Sequence, residues 1–229
     1  MRLVVMSDIH GNLTALNAVI AALPPADRII VAGDLCLEGP RPAEVWDRLQ
    51  ELGAELLMGN TDRDIVQDAG DAKPRKRAMI EWAREQLGPD RVRAMAAMPF
   101  SRRAGPDGVL LAVHANPRTM DEHLYPDMTP EQLQPYLKDV EAEIIAFGHL
   151  HVPYIRPVAN YVLVDVSSVG HPKDHDLRAS FTVFEWEGLT RRITNVRVPY
   201  DVERTVDEMR TSGMPYGEKE AADLLRASY

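Results

Sequence analysis

The chain is poor in the features that would make it a secreted, membrane-bound or polyanion-coating protein. Among 229 residues there is one cysteine, Cys36. No disulfide framework can form within the chain, and a thiolate zinc site is not expected. No stretch approaches the roughly 18 apolar residues of a membrane span. The first residues, Met1 to Ser7, lack the long apolar core of a secretory signal, so the expected setting is the cytoplasm. Positive charge is in deficit, with 26 Lys and Arg against 35 Asp and Glu, a formal net charge of −9. An extended basic surface for nucleic acid is therefore not expected. A small phosphate substrate stays open, because bound cations can reverse the local field in an acidic protein.

What is present is ordinary globular material, 45% hydrophobic and 27% charged, long enough to bury a core without staples. Short apolar runs recur at Leu3–Met6, Arg28–Ala32, Glu55–Met58, Val109–Val113 and Glu143–Phe147. Continuous runs of this length suit strands covered on both faces. Asn12–Leu23 puts Leu13, Leu16, Ile20 and Leu23 on one helical stripe, and Pro24-Pro25 stops it. Pro42–Leu52 repeats the pattern, with Gly53 past its end. The first third thus reads β-α-β-α-β, with a parallel sheet.

The middle predicts helices over Pro74–Leu87 and Asp90–Met98, broken at Gly88-Pro89, and one starting at Thr129-Pro130 that Pro135 would kink or shorten. Strands come next at Tyr161–Val166, Ser180–Trp186 and Thr190–Val198, the last two a hairpin about Glu187-Gly188. Asp201–Met209 and Glu218–Ala227 read as amphipathic helices. One domain spanning 1–229 is expected, an α/β fold with two sheets and outer helices.

The residues able to do chemistry sit just past the strands. Strand one leads into Asp8-Ile9-His10-Gly11-Asn12, strand two into Gly33-Asp34, strand three into Gly59-Asn60-Thr61-Asp62. The fourth ends at His114-Ala115-Asn116, and the fifth leads into Gly148-His149-Leu150-His151. Ligands collect at the carboxyl ends of strands in open α/β sheets. Residues i and i+2 of an extended segment point the same way, so Asp8 and His10 can meet one cation and His149 and His151 one site. Each motif alone reads as a turn, a cap or a buried histidine; their convergence points to a metal centre. Imidazole, carboxylate and amide oxygen together suit Mn²⁺, Fe, Zn²⁺, Co²⁺ or Ni²⁺ rather than a dedicated Ca²⁺ or Mg²⁺ cage.

In this order and spacing the motifs D-x-H, G-D, G-N-x-D, H and G-H-x-H resemble those of the calcineurin-like metallophosphoesterases, and the D-I-H-G-N start resembles the small bacterial and archaeal phosphodiesterase-like branch. The resemblance runs on through Gly39-Pro40-Arg41-Pro42 and Ser167-Ser168-Val169-Gly170-His171-Pro172. It implies a four-layer α-β-β-α sandwich with two mixed sheets face to face. It implies two divalent metal ions, manganese first among them. Asp8, His10, Asp34 and His151 would hold one; Asp34, Asn60, His114 and His149 would hold the other, with Asp34 bridging. It implies hydrolysis of a phosphate ester by a hydroxide bridging the ions, attacking phosphorus in line.

Asp34, Asn60 and Thr61 are the expected catalytic residues, and Asn12, Asn60 and Ser168 the expected substrate contacts. Thr61 stands where many family members carry a histidine that acts as an acid. That replacement favours a phosphodiesterase and moves leaving-group protonation to water, or to His123 or His171, which otherwise read as surface-loop residues along with His175. The expected partner is a small phosphate ester, a nucleotide among the options; a homo-oligomer is compatible. The alternatives are a phosphomonoesterase, protein phosphatase or dinucleoside-polyphosphate hydrolase, and, in another class, a non-catalytic protein-binding scaffold of the same fold. The charged run Asp71–Arg77 reads as a solvated face whose Lys73, Arg75, Lys76 and Arg77 could guide an anion. Cys36 and the three tryptophans read as packing residues.

Overall fold

The first strand, β1 (Arg2–Met6), shows how the layers are built. Leu3 and Val5 point to one side and join Ile30, Ala32, Leu57, Ala112, Ile144 and Val164. Val4 and Met6 point to the other and join Leu16, Val45, Leu49 and Ile80. That alternation arises from the two-residue period of a strand, and both faces are buried. A computed structural model describes residues 1–67, 70, 72–188 and 190–229 of the chain.

From β1 the chain runs through α1 (Leu13–Ala22), β2 (Arg28–Val31), α2 (Pro42–Glu51), β3 (Glu55–Leu56), α3 (Asn60–Val66) and α4 (Pro74–Met95). It continues with β4 (Ser101–Ala104), β5 (Leu110–Val113), α5 (Pro130–Leu137), β6 (Ile144–Phe147), β7 (Tyr154–Val158) and β8 (Tyr161–Asp165). The last elements are β9 (Ala179–Glu187), β10 (Thr190–Val198), α6 (Val202–Thr211) and α7 (Gly217–Arg226).

Two five-stranded sheets form, ordered β10-β9-β1-β2-β3 and β4-β5-β6-β8-β7. Both are mixed: β1, β2 and β3 are parallel, as are β5, β6 and β8, while β9, β10, β4 and β7 pair antiparallel. One apolar cluster fills the space between the sheets. A second lies between the first sheet and the helices α1, α2 and α4, and a third between the second sheet and α5. This is the expected four-layer sandwich.

The expected helix break is present: Gly88 adopts φ 72°, ψ 166° inside α4, just before Pro89. α5 ends two residues after Pro135. The β9–β10 hairpin pairs Thr190 with Glu187; Leu189 in its turn, and Asp71 of the charged run, lie outside the described residues. Three elements carry no sequence signal of their own kind. β4 is Ser-Arg-Arg-Ala and β7 contains Arg156 and Pro157; both are edge strands, half solvated, so no apolar run marks them. α3 begins directly at Asn60, where the Gly-Asn pair reads as a turn.

Candidate metal centre

The carboxyl ends of β1, β2, β3, β5 and β6 meet at one edge of the sandwich, where backbone bonds tie their loops together. The Asp8 N–H donates to Gly33 O and the His10 N–H to Asp34 O, both at 3.0 Å, and the Gly148 N–H donates to His114 O at 2.8 Å. The His149 N–H donates to Asp8 Oδ2 at 2.9 Å. This crossing from the second sheet to the first brings Gly148 so close that a Cβ there would sit 2.2 Å from Asp8 Oδ2. Five of the site residues occupy left-handed backbone: Asp8 (φ 56°), His10 (47°), Asp34 (55°), His149 (65°) and His151 (60°). Each such residue costs of order 1 kcal/mol, and clusters of this kind persist where a site demands them.

Two groups of ligand atoms result, Asp8 with His10 and His151, and Asp34 with His114 and His149, each with its atoms within 4.8 Å of one another. Asn60 joins the second group, its Oδ1 lying 2.8 Å from His114 Nε2. Asp34 touches both groups: its Oδ2 is 3.8 Å from His10 Nε2 and its Oδ1 is 3.4 Å from His114 Nε2. All seven expected ligands are therefore brought together.

Each imidazole is oriented by a backbone carbonyl, which fixes where its proton sits. Nδ1–H of His10 donates to Leu37 O at 3.1 Å and Nδ1–H of His114 to Ala32 O at 2.8 Å. Nδ1–H of His151 donates to His171 O. His149 is reversed, with Nε2–H donating to Asp121 O at 3.0 Å. The nitrogens left facing inward, Nε2 of His10, His114 and His151 and Nδ1 of His149, all present lone pairs. Asp8 Oδ1 is buried among them with no hydrogen-bond donor, 3.1 Å from His151 Nε2. A buried cluster made only of acceptors is repulsive unless cations or protons sit in it. The donor set fits divalent cations of the borderline class that takes imidazole and carboxylate together.

The charges respond as this crowding requires. Burial pushes the Asp8 carboxyl up, but His151, His114 and His10 together outweigh it and hold it well below the usual range. Burial pushes His114 down, and Asp34 and Asp8 more than reverse that. Burial, with His114, lowers His149.

A supporting layer surrounds the ligands. Asp62 is fully buried and accepts from the backbone N–H groups of Asp34 (2.8 Å), Leu35 (2.9 Å) and Gly59 (3.0 Å). It therefore clamps the Asp34 turn to the start of α3; burial and the nearby Asp34 push its carboxyl up to about 7. Its place in the G-N-x-D motif was legible in the sequence, its role as a clamp was not. The loop carrying Asp121 is folded about Asn116, whose Oδ1 accepts from the Arg118 and Thr119 N–H groups at 2.8 Å. Arg63 grips Asp121 with two bonds, at 2.7 and 2.8 Å.

Several sequence expectations need correction. Asn12 is fully buried and caps α1 through Oδ1. Its amide donates to Gly170 O and Tyr200 Oη, and its oxygen also accepts from Thr205. Ser168 Oγ donates to Asp8 O and accepts from the His171 N–H, both at 2.7 Å. Both side chains are buried and engaged in holding loops. His171 is not a surface residue: it is buried, with its ring centroid 5.8 Å from His10 and 6.0 Å from His151. His123 stacks on His149 at 4.2 Å, beside the exposed rings of Tyr125 and Tyr229. His175 is exposed, as expected. Cys36 is a buried packing residue whose thiol is pushed up by burial. Thr61 is buried at the site edge; its N–H donates to Asp34 Oδ1 at 2.9 Å and its hydroxyl has no partner.

Residues 1–188 match the family model of the calcineurin-like phosphoesterase superfamily domain. The chain belongs to that superfamily. It is similar to a metallophosphoesterase from Sphaerobacter thermophilus, with 26% identity, a TM-score of 0.84 and 99% of each chain covered. The protein PH1004 of Pyrococcus horikoshii shares the fold, with a TM-score of 0.86 at 18% identity over 99% of this chain and 98% of that one. Protein MJ0912 of Methanocaldococcus jannaschii is 26% identical, over 92% of this chain and 93% of its own. Among the described residues, no helix of this superfamily member is long and apolar enough to cross a membrane.

Proposed function

We propose that the chain is a phosphodiesterase working with two divalent cations, manganese first among them. Asp8, His10, Asp34, Asn60, His114, His149 and His151 would hold them, with the Asp34 carboxylate between the two. The observation that carries this reading is the position of Asp34, within 3.8 Å of His10 Nε2 on one side and 3.4 Å of His114 Nε2 on the other. When bound, the cations supply Lewis acidity toward the phosphoryl oxygens and an activated water as nucleophile.

The chain's own residues set the geometry for that chemistry. Asp62 and the carbonyls of Leu37, Ala32, Asp121 and His171 hold the ligands, so little reorganisation is needed as charge develops. Asn60 Oδ1, 2.8 Å from the His114 Nε2 lone pair, would share a cation with it, which leaves the amide N–H groups for a phosphoryl oxygen. The leaving alkoxide needs a proton. Burial, with His149 and His151, pushes His123 down to about 4, and burial, with His10 and His151, pushes His171 well down. Both rings are neutral near pH 7, and a neutral imidazole is a weak acid. The Thr61 hydroxyl can donate a hydrogen bond but no proton at this pH, which leaves solvent water as the proton source. This suits a diester, for which Thr61 in place of a histidine is the sequence signal.

The test is metal analysis of the purified protein, followed by paired assays on bis-p-nitrophenyl phosphate and p-nitrophenyl phosphate with Mn²⁺ added. The diester is hydrolysed with the higher kcat/KM, and Asp34→Ala and His114→Ala each abolish turnover while the chain stays folded. Preference for the monoester makes it a phosphomonoesterase. Absence of hydrolysis across a wider phosphate-ester panel with Mn²⁺ favours a binding protein of the same fold.

A further inference from the structure

A cavity of about 290 Å³ opens beside the second ligand group, floored by Asn60 and Thr61, with Leu37 and Met79 as apolar walls and Lys73, Arg75 and Lys76 around it. It is continuous with the metal centre, because Asn60 belongs to both and the Thr61 N–H is bonded to Asp34 Oδ1. A larger cavity, about 440 Å³, lies at the amino end of β1, between Arg2, Trp186 and Arg192. No ligand residue lines it.

The smaller cavity is rich in donors that nothing satisfies. Thr61 is 6% exposed and its hydroxyl has no partner. Arg75 Nε is buried and likewise unpaired, although the outer end of that guanidinium pairs with Glu220. Lys76 pairs with Asp64. Lys73 has no carboxylate within ion-pair distance among the described residues. The lining acid, Glu38, leans the other way, its Oε2 3.6 Å from His10 Nδ1. Arg75 and Lys76 are largely offset by Glu220, Asp223 and Asp64, so the positive charge left for a guest is that of Lys73, beside the unpaired Arg75 Nε and Thr61 hydroxyl. Buried donors without acceptors call for an acceptor-rich guest, and phosphate is the group that Lys and Arg side chains recognise best.

We propose that the cavity is a subsite for a second phosphate, carried by the part of the substrate that extends beyond the scissile phosphodiester. Lys73 and Arg75 bind that phosphate, Thr61 donates to it or to its ester oxygen, and Leu37 and Met79 pack against the carbon skeleton between the two phosphates. The substrate class is then a phosphodiester bearing an additional terminal phosphate, rather than a simple dialkyl or diaryl phosphate. The inference rests on the phosphoesterase reading for what sits at the metal centre.

The experiment compares the 3′,5′-linked adenosine dinucleotide with and without a 5′-phosphate. Calorimetry on the Mn²⁺-loaded chain, with non-hydrolysable methylenephosphonate analogues of both, shows the phosphorylated ligand binding roughly tenfold tighter, the size of one charged hydrogen bond. Lys73→Ala removes most of that preference and Lys73→Glu inverts it; with the hydrolysable pair the same change shows in KM. Equal affinities in the wild type, an undiminished preference in both variants, or binding of neither ligand overturns the subsite. Hydrolysis of the hydrolysable dinucleotide pair by the wild type is scored separately. Cleavage of neither dinucleotide alongside a calorimetric preference sinks the phosphoesterase reading and leaves the subsite standing.

Discussion

The Nε2 atoms of His10 and His151 face each other across 3.4 Å, and neither holds the ring proton, because Nδ1 of each donates to a carbonyl. Two lone pairs at that distance, with Asp8 Oδ1 beside them, form a socket for a cation.

Metal should therefore stabilise the fold. Adding Mn²⁺ to protein stripped with a chelator raises Tm, by an amount equivalent to about 2.7 kcal/mol per site at a free-metal concentration of 100 Kd. Elemental analysis separates the sites. His10→Ala loses one ion, whereas Asp34→Ala, which touches both ligand groups, loses both. A Tm indifferent to the metal, or equal losses in the two variants, would remove the bridging role.

Gly59 tests how tightly β3 is set against Asp34. A Cβ there would lie 2.1 Å from Asp34 Oδ1 and 2.4 Å from Asp34 N, while its φ of −99° suits any residue. Gly59→Ala should cut metal affinity by about 10–100-fold, the range seen when support around metal ligands is lost. Gly53→Ala is the contrasting case. Its Cβ meets nothing within 4 Å, but its φ is +68°, so it costs about 1–2 kcal/mol of stability and leaves metal affinity alone. Titration calorimetry and thermal melts distinguish them; equal effects on metal binding would refute the steric account.

The metal-free protein should lose stability as it is acidified. Burial, with His10 and His151, lowers His171 in the folded state, whereas an unfolded histidine titrates near 6.5. As pH falls through about 6.5 the unfolded chain takes up a proton that the folded chain refuses, so stability present above that pH is lost below it. His123, lowered to about 4, acts in the same direction. His114 is raised and acts oppositely: its contribution is complete below 6.5 and fades as pH rises through its folded value. Thermal melts from pH 7.5 to 5 should show Tm falling, with a shallower slope in His171→Gln. An identical slope in that variant would assign the loss to other groups.

Much of the site was legible one residue at a time because ligand atoms must come after strands, and buried parallel strands announce themselves as apolar runs. Asp8, Asp34, Asn60, His114 and His149 each lie just past such a run. The edge strands at Ser101–Ala104 and Tyr154–Val158 escaped notice for the converse reason: a half-solvated strand with arginine or proline needs no apolar run. The loop-holding bonds of Asn12 and Ser168 were not legible, because a polar residue beside a catalytic motif looks the same whether it meets substrate or holds a loop. Only its partners decide, and these lie 158 and 160 residues away in sequence, at Gly170 O for Asn12 and Asp8 O for Ser168.

The order of elements, the pairing of chemistry with strand ends and the class of metal ligand were set by the linear chain, since periodicity and side-chain type are local properties. Tertiary structure alone decided which imidazole nitrogen faces inward, that Asp62 clamps Asp34, that His171 is buried, and that Lys73 and Arg75 meet Thr61 at one cavity. Those are relationships between groups distant along the polymer, and they exist only once two sheets have packed and their loops have been forced to share a hydrogen-bond network.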